Sequence, residues 1–224
     1  RRRGYAGAMP NLAVKGGTTL RTKPWPAWPQ FDDREKEYLA RVVDSGNWGG
    51  FPSPNVVGGE FARRFADYHG AKHGITTTGG TTALEIALRA AGLERGDEFI
   101  VPALTFYATA FAGLVQGFKP VFVDIDPDTW CIDAAQIERH ITPDTRAILP
   151  VHLGSRMADM DAIGAIARKH GLKVIEDCAH MHGGFWRDRY DLSLMEDPDP
   201  LFQIPQHVFD LRQRRPQIVR NLLR

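Results

Sequence analysis

Cysteine is scarce in this sequence, since only Cys131 and Cys178 occur among 224 residues. Two cysteines so far apart argue against a disulfide framework and fit a reducing compartment, so we expect a cytoplasmic protein. Neither sign of charge dominates, because 28 basic and 27 acidic residues give a formal net charge of +1. A near-neutral chain without a basic stripe makes nucleic acid and anionic membranes poor candidates as partners.

Long apolar runs are also missing. The longest apolar stretch, residues 104–118, is interrupted by polar residues and is too short to span a bilayer. Residues 1–8 carry charge with no apolar run behind them, which is not the pattern of a signal peptide. We expect Met9 to be the natural start, with residues 1–8 not native to the protein.

Residues 1–30 predict an N-terminal arm. Glycine and proline are frequent from residue 9 onwards, and residues 24–29 contain three prolines and two tryptophans. Prolines at this density predict an extended segment without regular secondary structure.

Helical and strand-like patterns alternate from residue 31 to residue 189, which predicts a large domain. The predicted helices are residues 32–43, 57–68, 81–91, 106–115, 134–140 and 160–170, and the predicted strands are residues 73–78, 98–102, 120–124, 147–151 and 173–176. Apolar strands separated by helices predict an α/β fold, a three-layer sandwich with a mostly parallel sheet and helices on both faces. Ligands of such sheets bind beyond the carboxyl ends of the strands.

The first such strand end is a glycine turn that leads into a helix, residues 76–84. Gly79 and Gly80 let the backbone approach a ligand closely, and the helix start presents free N–H groups. Thr81 can cap the helix or donate its hydroxyl to a phosphate. Neither the Walker nor the dinucleotide-binding spacing is present. A phosphate cradle and a plain capped turn therefore both remain open.

Two further strand ends carry candidate groups. Phe106 follows the strand at residues 98–102 and either stacks on a flat heteroaromatic ring or belongs to the core. Asp177 follows the strand at residues 173–176. Its carboxylate needs a cationic partner, such as a pyridinium nitrogen, unless it caps the next turn.

A metal site is a rival interpretation of the last strand end. Cys178, His180 and His182 alternate along the chain and could share one face of an extended strand. No fourth ligand accompanies them at a recognisable spacing, so we expect no metal.

In this order, residues 78–84, 101–106 and 174–180 resemble the DegT/DnrJ/EryC1/StrS family of pyridoxal phosphate (PLP) aminotransferases, which have fold type I. Other family-like runs are residues 68–73, 121–129 and 141–147. The branch that contains 3-amino-5-hydroxybenzoate synthase is the most similar in residues 26–30, 150–154 and 157–162. The resemblance covers about residues 20–189.

The resemblance implies roles for single residues in binding pyridoxal 5'-phosphate. Gly80 and Thr81 would hold its phosphate, and Phe106 would stack on its ring. Asp177 would pair with the ring nitrogen and keep it protonated, so that the ring can accept electrons. His180 would contact the face or the phenolic oxygen of the cofactor.

The resemblance also implies the reaction and the partners. Family members transfer an amino group from glutamine or glutamate to a keto-sugar or keto-cyclitol in amino-sugar biosynthesis. They are homodimers whose active sites are completed across the subunit interface. Trp48 resembles a residue of the loop that borders the substrate.

The lysine that attaches the cofactor covalently in this family has no match here. Counted from Asp177, its position falls on Gln206, beside His207, and the last lysine of the chain is Lys173. An amide cannot take over that chemistry, so we expect little or no turnover from this chain. The alternatives are a cofactor-binding pseudoenzyme that interferes with an intact copy by dimerising, and a sugar dehydratase that depends on His207.

Residues 190–224 form a divergent or frameshifted tail. They have no clean period and depart from the family pattern. Codons 201–216, if read one nucleotide later, can encode a close version of the motif around the missing lysine. We therefore expect that a frameshift produced the tail, and that the sequence lacks the small C-terminal domain of the family.

Overall fold

Six α-helices and five strands make up most of the regular structure of the computed structural model, which describes residues 12–49, 55–184, 186 and 202–204. The helices are α1 (Asp33–Asp44), α2 (Val56–Tyr68), α3 (Gly80–Ala90), α4 (Ala108–Leu114), α5 (Ala134–Ile137) and α6 (Met160–His170). The strands are β1 (Glu98–Pro102), β2 (Lys119–Val123), β3 (Thr145–Ile148), β4 (Lys173–Asp177) and β5 (Phe202–Ile204).

All five strands are parallel and form one sheet in the order β2-β1-β3-β4-β5. The carboxyl ends of β1, β3 and β4 therefore lie at the same edge of the sheet. This arrangement confirms the predicted α/β fold with a mostly parallel sheet.

Apolar residues on alternate strand positions divide the core into two layers. Phe99, Val101 and Ile175 pack under α3 and α4 on one face of the sheet. Ile100 and Val174 pack under α5 and α6 on the opposite face. Successive strand residues point to opposite faces, so a strand buried on both sides is apolar throughout, as the sequence predicted.

Local signals set several helix boundaries. Asp32 accepts the N–H of Arg34 and forms a capping box with Glu35 at the start of α1, and Asn55 caps α2. Asp159 caps α6, which ends at Gly171 in the left-handed conformation. The first turn of α3 differs, because its N-cap is Gly79 and makes no side-chain cap hydrogen bond.

The predicted strand at residues 73–78 is wrong. None of these residues forms a strand within the described ranges, and Ile75 is 80% exposed. A strand needs a neighbour, and the described sheet ends at β2 and β5 without reaching this segment. Gly74 lies against α2 instead, since a Cβ atom there would stand 2.3 Å from the carbonyl oxygen of Ala62.

Other differences concern boundaries. Helix α4 begins at Ala108 and not at Phe106, and the predicted helix at residues 134–140 ends in a 3-10 turn, Glu138–His140. β5 lies in the tail, for which the sequence predicted no strand.

The arm contains one 3-10 turn, Ala13–Lys15, and no other helix or strand between residues 12 and 31. No helix within the described ranges combines the length and the apolar character needed to traverse a bilayer.

Candidate active site

The backbone of Asp177 ties the end of β4 to the segment that follows β3. Its N–H donates to the carbonyl of Pro150 at 2.9 Å, and its carbonyl accepts the N–H of His152 at 3.1 Å. Both strand ends are fixed relative to each other by these bonds, so side chains that leave them start from a rigid frame.

The Asp177 side chain is buried, with the residue 2% exposed. One carboxylate oxygen, Oδ2, accepts the hydroxyl of Thr109 at 2.9 Å, and the other, Oδ1, accepts the N–H of Ala179 at 3.2 Å. Burial raises the pKa of Asp177 above its ordinary value, and these two hydrogen bonds lower it only in part. A cation placed against this carboxylate would offset the cost of burying its charge.

Phe106 lies in the turn between β1 and α4. The residue is 57% exposed, and its ring lies 4.5 Å from the ring of Tyr107, measured between centroids. The alternative in which Phe106 belongs to the core is therefore wrong, because core aromatics such as Phe99 have no exposed surface.

The start of α3 is open to a ligand. Gly80 is buried, and a Cβ atom built on Gly79 would meet no atom within 4 Å. The first N–H groups of a helix have no partner within the helix, and Gly79 supplies no side-chain cap for them. Thr81 follows Gly80 and is not the cap residue, so the capped-turn interpretation is wrong. The phosphate cradle remains a prediction.

His180 is held by the loop that follows β3. Its Nδ1 atom accepts the N–H of Gly154 at 3.2 Å, and its carbonyl accepts the hydroxyl of Ser155, also at 3.2 Å. Ser155 has a backbone φ of +65°, a conformation that residues other than glycine rarely adopt. His180 is exposed, and Nδ1 is the ring nitrogen that bonds to Gly154.

The loop after β4 is also anchored to α2. The Nδ1–H of His69 donates to the carbonyl of Phe65 at 2.9 Å, and Nε2 accepts the N–H of Gly183 at 3.0 Å. Burial lowers the pKa of His69, which favours the neutral ring that this pair of bonds requires.

A buried histidine and a buried glutamate lie near the strand ends, and no sequence motif indicates a role for either residue. His152 Nε2 lies 2.8 Å from Glu176 Oε2, and His152 Nδ1 accepts the N–H of Ala158 at 3.2 Å. These bonds place the ring proton on Nε2, so that His152 donates to the carboxylate of Glu176. No periodic pattern in the sequence distinguishes either residue, which is why the pair was missed.

The contact between His152 and Glu176 also bears on the alternative of a metal site at Cys178, His180 and His182. The sulfur of Cys178 lies within 4.8 Å of ligand atoms of His152 and Glu176, so the structure groups Cys178 with these two residues and not with His182. Burial, and the nearby carboxylates of Glu176 and Asp177, raise the pKa of the Cys178 thiol well above its usual value. A protonated thiol is a poor metal ligand, and His152 and Glu176 already bond to each other.

Trp48, Gln206 and His207 are the remaining predicted residues. Trp48 is exposed after α1, and its indole N–H donates to the carbonyl of Val43 at 3.3 Å. Its role at the substrate loop stays a prediction. Gln206 and His207 lie outside the described residues.

The sequence profile of the DegT/DnrJ/EryC1/StrS aminotransferase family matches residues 29–192. A protein of Streptoalloteichus tenebrarius, provisionally named L-glutamine:3-amino-2,3-dideoxy-scyllo-inosose aminotransferase, is 49% identical over 178 residues, which are 80% of this chain and 43% of the relative.

Two crystal structures are similar to the chain. That of 3-amino-5-hydroxybenzoic acid (AHBA) synthase superposes with a TM-score of 0.68 at 40% identity, covering 74% of this chain and 43% of the synthase. That of NtdA from Bacillus subtilis, with bound cofactor PMP (pyridoxamine phosphate), gives a TM-score of 0.60 at 41% identity, covering 66% and 34%. The chain spans less than half of the length of these relatives.

Proposed function

Because the family profile covers residues 29–192, this chain belongs to the DegT/DnrJ/EryC1/StrS aminotransferase family, and we propose that it is the cofactor-binding part of a PLP-dependent sugar or cyclitol aminotransferase. The observation that carries the proposal is the buried carboxylate of Asp177 at the end of β4. It is oriented by two hydrogen bonds and lies at the sheet edge where α/β proteins bind ligands.

The residues present fit PLP. Asp177 would receive the protonated ring nitrogen, a cation that offsets the charge buried there. The uncapped start of α3, with Gly80 and Thr81, would receive the phosphate, because helix N-termini favour anions. Phe106 offers an exposed ring for stacking, and His180 offers the Nε2 atom.

When bound, PLP supplies an electron sink for a carbanion next to nitrogen. The residues of this chain would bind it, orient it and keep one proton in place. Asp177 would hold that proton on the ring nitrogen, since an ionised neighbour favours the charged form of a base. Gly80 and Thr81 would fix the opposite end of the molecule, so the ring could not turn away from Asp177.

The substrate class follows from the relatives. We propose glutamine or glutamate as the amino donor and a ketone of a sugar or cyclitol as the acceptor. Support comes from the glutamine and inosose in the name of the Streptoalloteichus relative. We further propose that the complete enzyme works as a homodimer, as the family resemblance implies.

This chain has Gln206 at the position of the lysine. We propose that it binds the cofactor without attaching it covalently and turns over little or no substrate. A second candidate function rests on the same missing lysine. In this alternative the chain is a non-catalytic, PLP-binding protein that pairs with an intact copy.

Two measurements test these proposals. Pyridoxamine phosphate, which carries an amine in place of the aldehyde, is titrated against the 224-residue chain and should bind reversibly. PLP is then added and the mixture is reduced with borohydride. After the reduction, no single lysine should carry one equivalent of the cofactor. Failure of pyridoxamine phosphate to bind would overturn the cofactor site, whereas a stoichiometric adduct on one lysine would show that another residue replaces the missing one.

A further inference from the structure

We propose that Thr109 is a positioning residue that holds the carboxylate of Asp177 towards the cofactor ring, and that Thr105 links this contact to the turn that carries Phe106. This inference rests on the proposed function, because the ring nitrogen is the group that Asp177 would face. None of the sequence motifs indicated Thr109.

The contact joins two distant parts of the chain. Thr109 lies on α4, is fully buried, and stands 68 residues from Asp177 in sequence. Its hydroxyl donates to Oδ2 at 2.9 Å, while the N–H of Ala179 donates to Oδ1 at 3.2 Å. Two donors that meet different oxygens prevent the carboxylate from rotating without the loss of one bond. Thr109 therefore fixes, together with the N–H of Ala179, the orientation of the Asp177 carboxylate.

The hydroxyl of Thr109 has only one proton, which it gives to Asp177. Its oxygen lies 2.8 Å from the hydroxyl oxygen of Thr105, so Thr105 is the donor in that bond. Hydrogen bonds in such a chain polarise one another, which strengthens the donation to the carboxylate. Thr105 directly precedes Phe106, so this pair of hydroxyls connects the proposed stacking residue to the proposed partner of the ring nitrogen.

A purely structural role would not require this arrangement. A threonine within a helix ordinarily bonds to a backbone carbonyl of the preceding turn. Thr109 instead bonds to two side chains, and one of them is a carboxylate whose burial favours the neutral acid. The hydroxyl opposes that effect, because a donor to a carboxylate favours its charged form. Without it, Asp177 would more readily protonate and could no longer pair with a ring cation.

The test compares four chains: the parent, Thr109→Val, Thr109→Ser and Thr145→Val. Valine has nearly the shape of threonine without the hydroxyl, and serine keeps the hydroxyl without the methyl group. Thr145 is the matched control, since it is also buried and bonds through its hydroxyl, but it is the first residue of β3 at the opposite end of the sheet. Two quantities are measured: the titration of the Asp177 carboxyl by carbon-13 NMR in the cofactor-free chain, and the affinity for pyridoxamine phosphate. The Asp177 signal is assigned through its loss in Asp177→Asn.

We expect Thr109→Val to raise the pKa of Asp177 further and to weaken pyridoxamine phosphate binding by about ten- to a hundredfold, the range of a charge-assisted hydrogen bond. Thr109→Ser should resemble the parent in both measurements, and so should Thr145→Val. The inference is overturned if Thr109→Val titrates and binds like Thr145→Val, or if serine fails to restore what valine removes. If the parent chain does not bind pyridoxamine phosphate, the proposed function fails, and the NMR titration still decides whether Thr109 controls Asp177.

Discussion

Replacement of Asp177 by asparagine should change two properties in opposite directions. In the cofactor-free protein the carboxylate is buried, and burial raises its pKa. A carboxyl group whose native pKa lies above its unfolded value binds more protons in the native state, so stability falls as the pH rises from about 3.8 through the raised pKa. At neutral pH the buried carboxyl group of Asp177 is therefore a cost to the fold, and Asp177→Asn should remove it.

The magnitude follows from the partners of the carboxylate. An unpaired buried ion costs several kcal/mol, but Asp177 keeps hydrogen bonds from Thr109 and Ala179 that offset much of this cost. We expect Asp177→Asn to gain about 1 kcal/mol at pH 7, which raises the melting temperature of a chain of this size by about 2–4 °C. The gain should shrink as the pH approaches 4, because the parent carboxyl then becomes neutral.

The same substitution should weaken the binding of pyridoxamine phosphate by roughly ten- to a hundredfold, because an amide cannot stabilise a protonated ring nitrogen as a carboxylate does. Thermal melting from pH 4 to 8 and equilibrium dialysis measure the two effects. A variant that is less stable than the parent at pH 7, and that binds pyridoxamine phosphate as tightly, would refute the reasoning about the charge at this position.

Three further results are expected. Phe106→Ala should weaken pyridoxamine phosphate binding by about two- to tenfold through lost stacking, while Phe122→Ala, which removes a similarly exposed ring from β2, should leave binding unchanged in the same titration. In urea unfolding, Leu84→Ala should cost about 2–5 kcal/mol because Leu84 is fully buried, whereas Ile86→Ala on the same helix is half exposed and should cost less than about 1 kcal/mol. Because burial lowers the pKa of His69, the native state binds fewer protons than the unfolded chain just below pH 6.5, and stability is lost as the pH falls through this range. His69→Gln should flatten that loss in melting curves recorded between pH 5 and 8.

The helices and strands that carry the sheet could be predicted because each one has its own local signal. α6 and β1 match their predicted bounds, since α6 has a cap at Asp159 and a glycine at residue 171, and β1 is a continuous apolar run. The strand at residues 73–78 failed because β-pairing depends on a neighbour, and no local pattern can supply one. β5 was missed for the complementary reason, as three residues in an irregular tail carry too little pattern to mark a strand.

The candidate site could also be predicted from the sequence only in part. Motif resemblance found Asp177, and the topology of the sheet explains why it lies at a ligand-binding edge. It did not find Thr109 or the bond between His152 and Glu176, because these contacts join residues far apart in sequence. Such contacts depend on how a helix or a strand packs against a distant strand, and residue types alone do not specify this.

A crystal structure of the chain with pyridoxamine phosphate would test the proposed site most directly. We predict that the ring nitrogen lies within hydrogen-bonding distance of Asp177, with the phosphate at the first turn of α3 and the ring against Phe106. Pyridoxamine phosphate bound elsewhere, for example with its phosphate beside Arg63 and Lys72 in the groove along α2, would contradict the assignment.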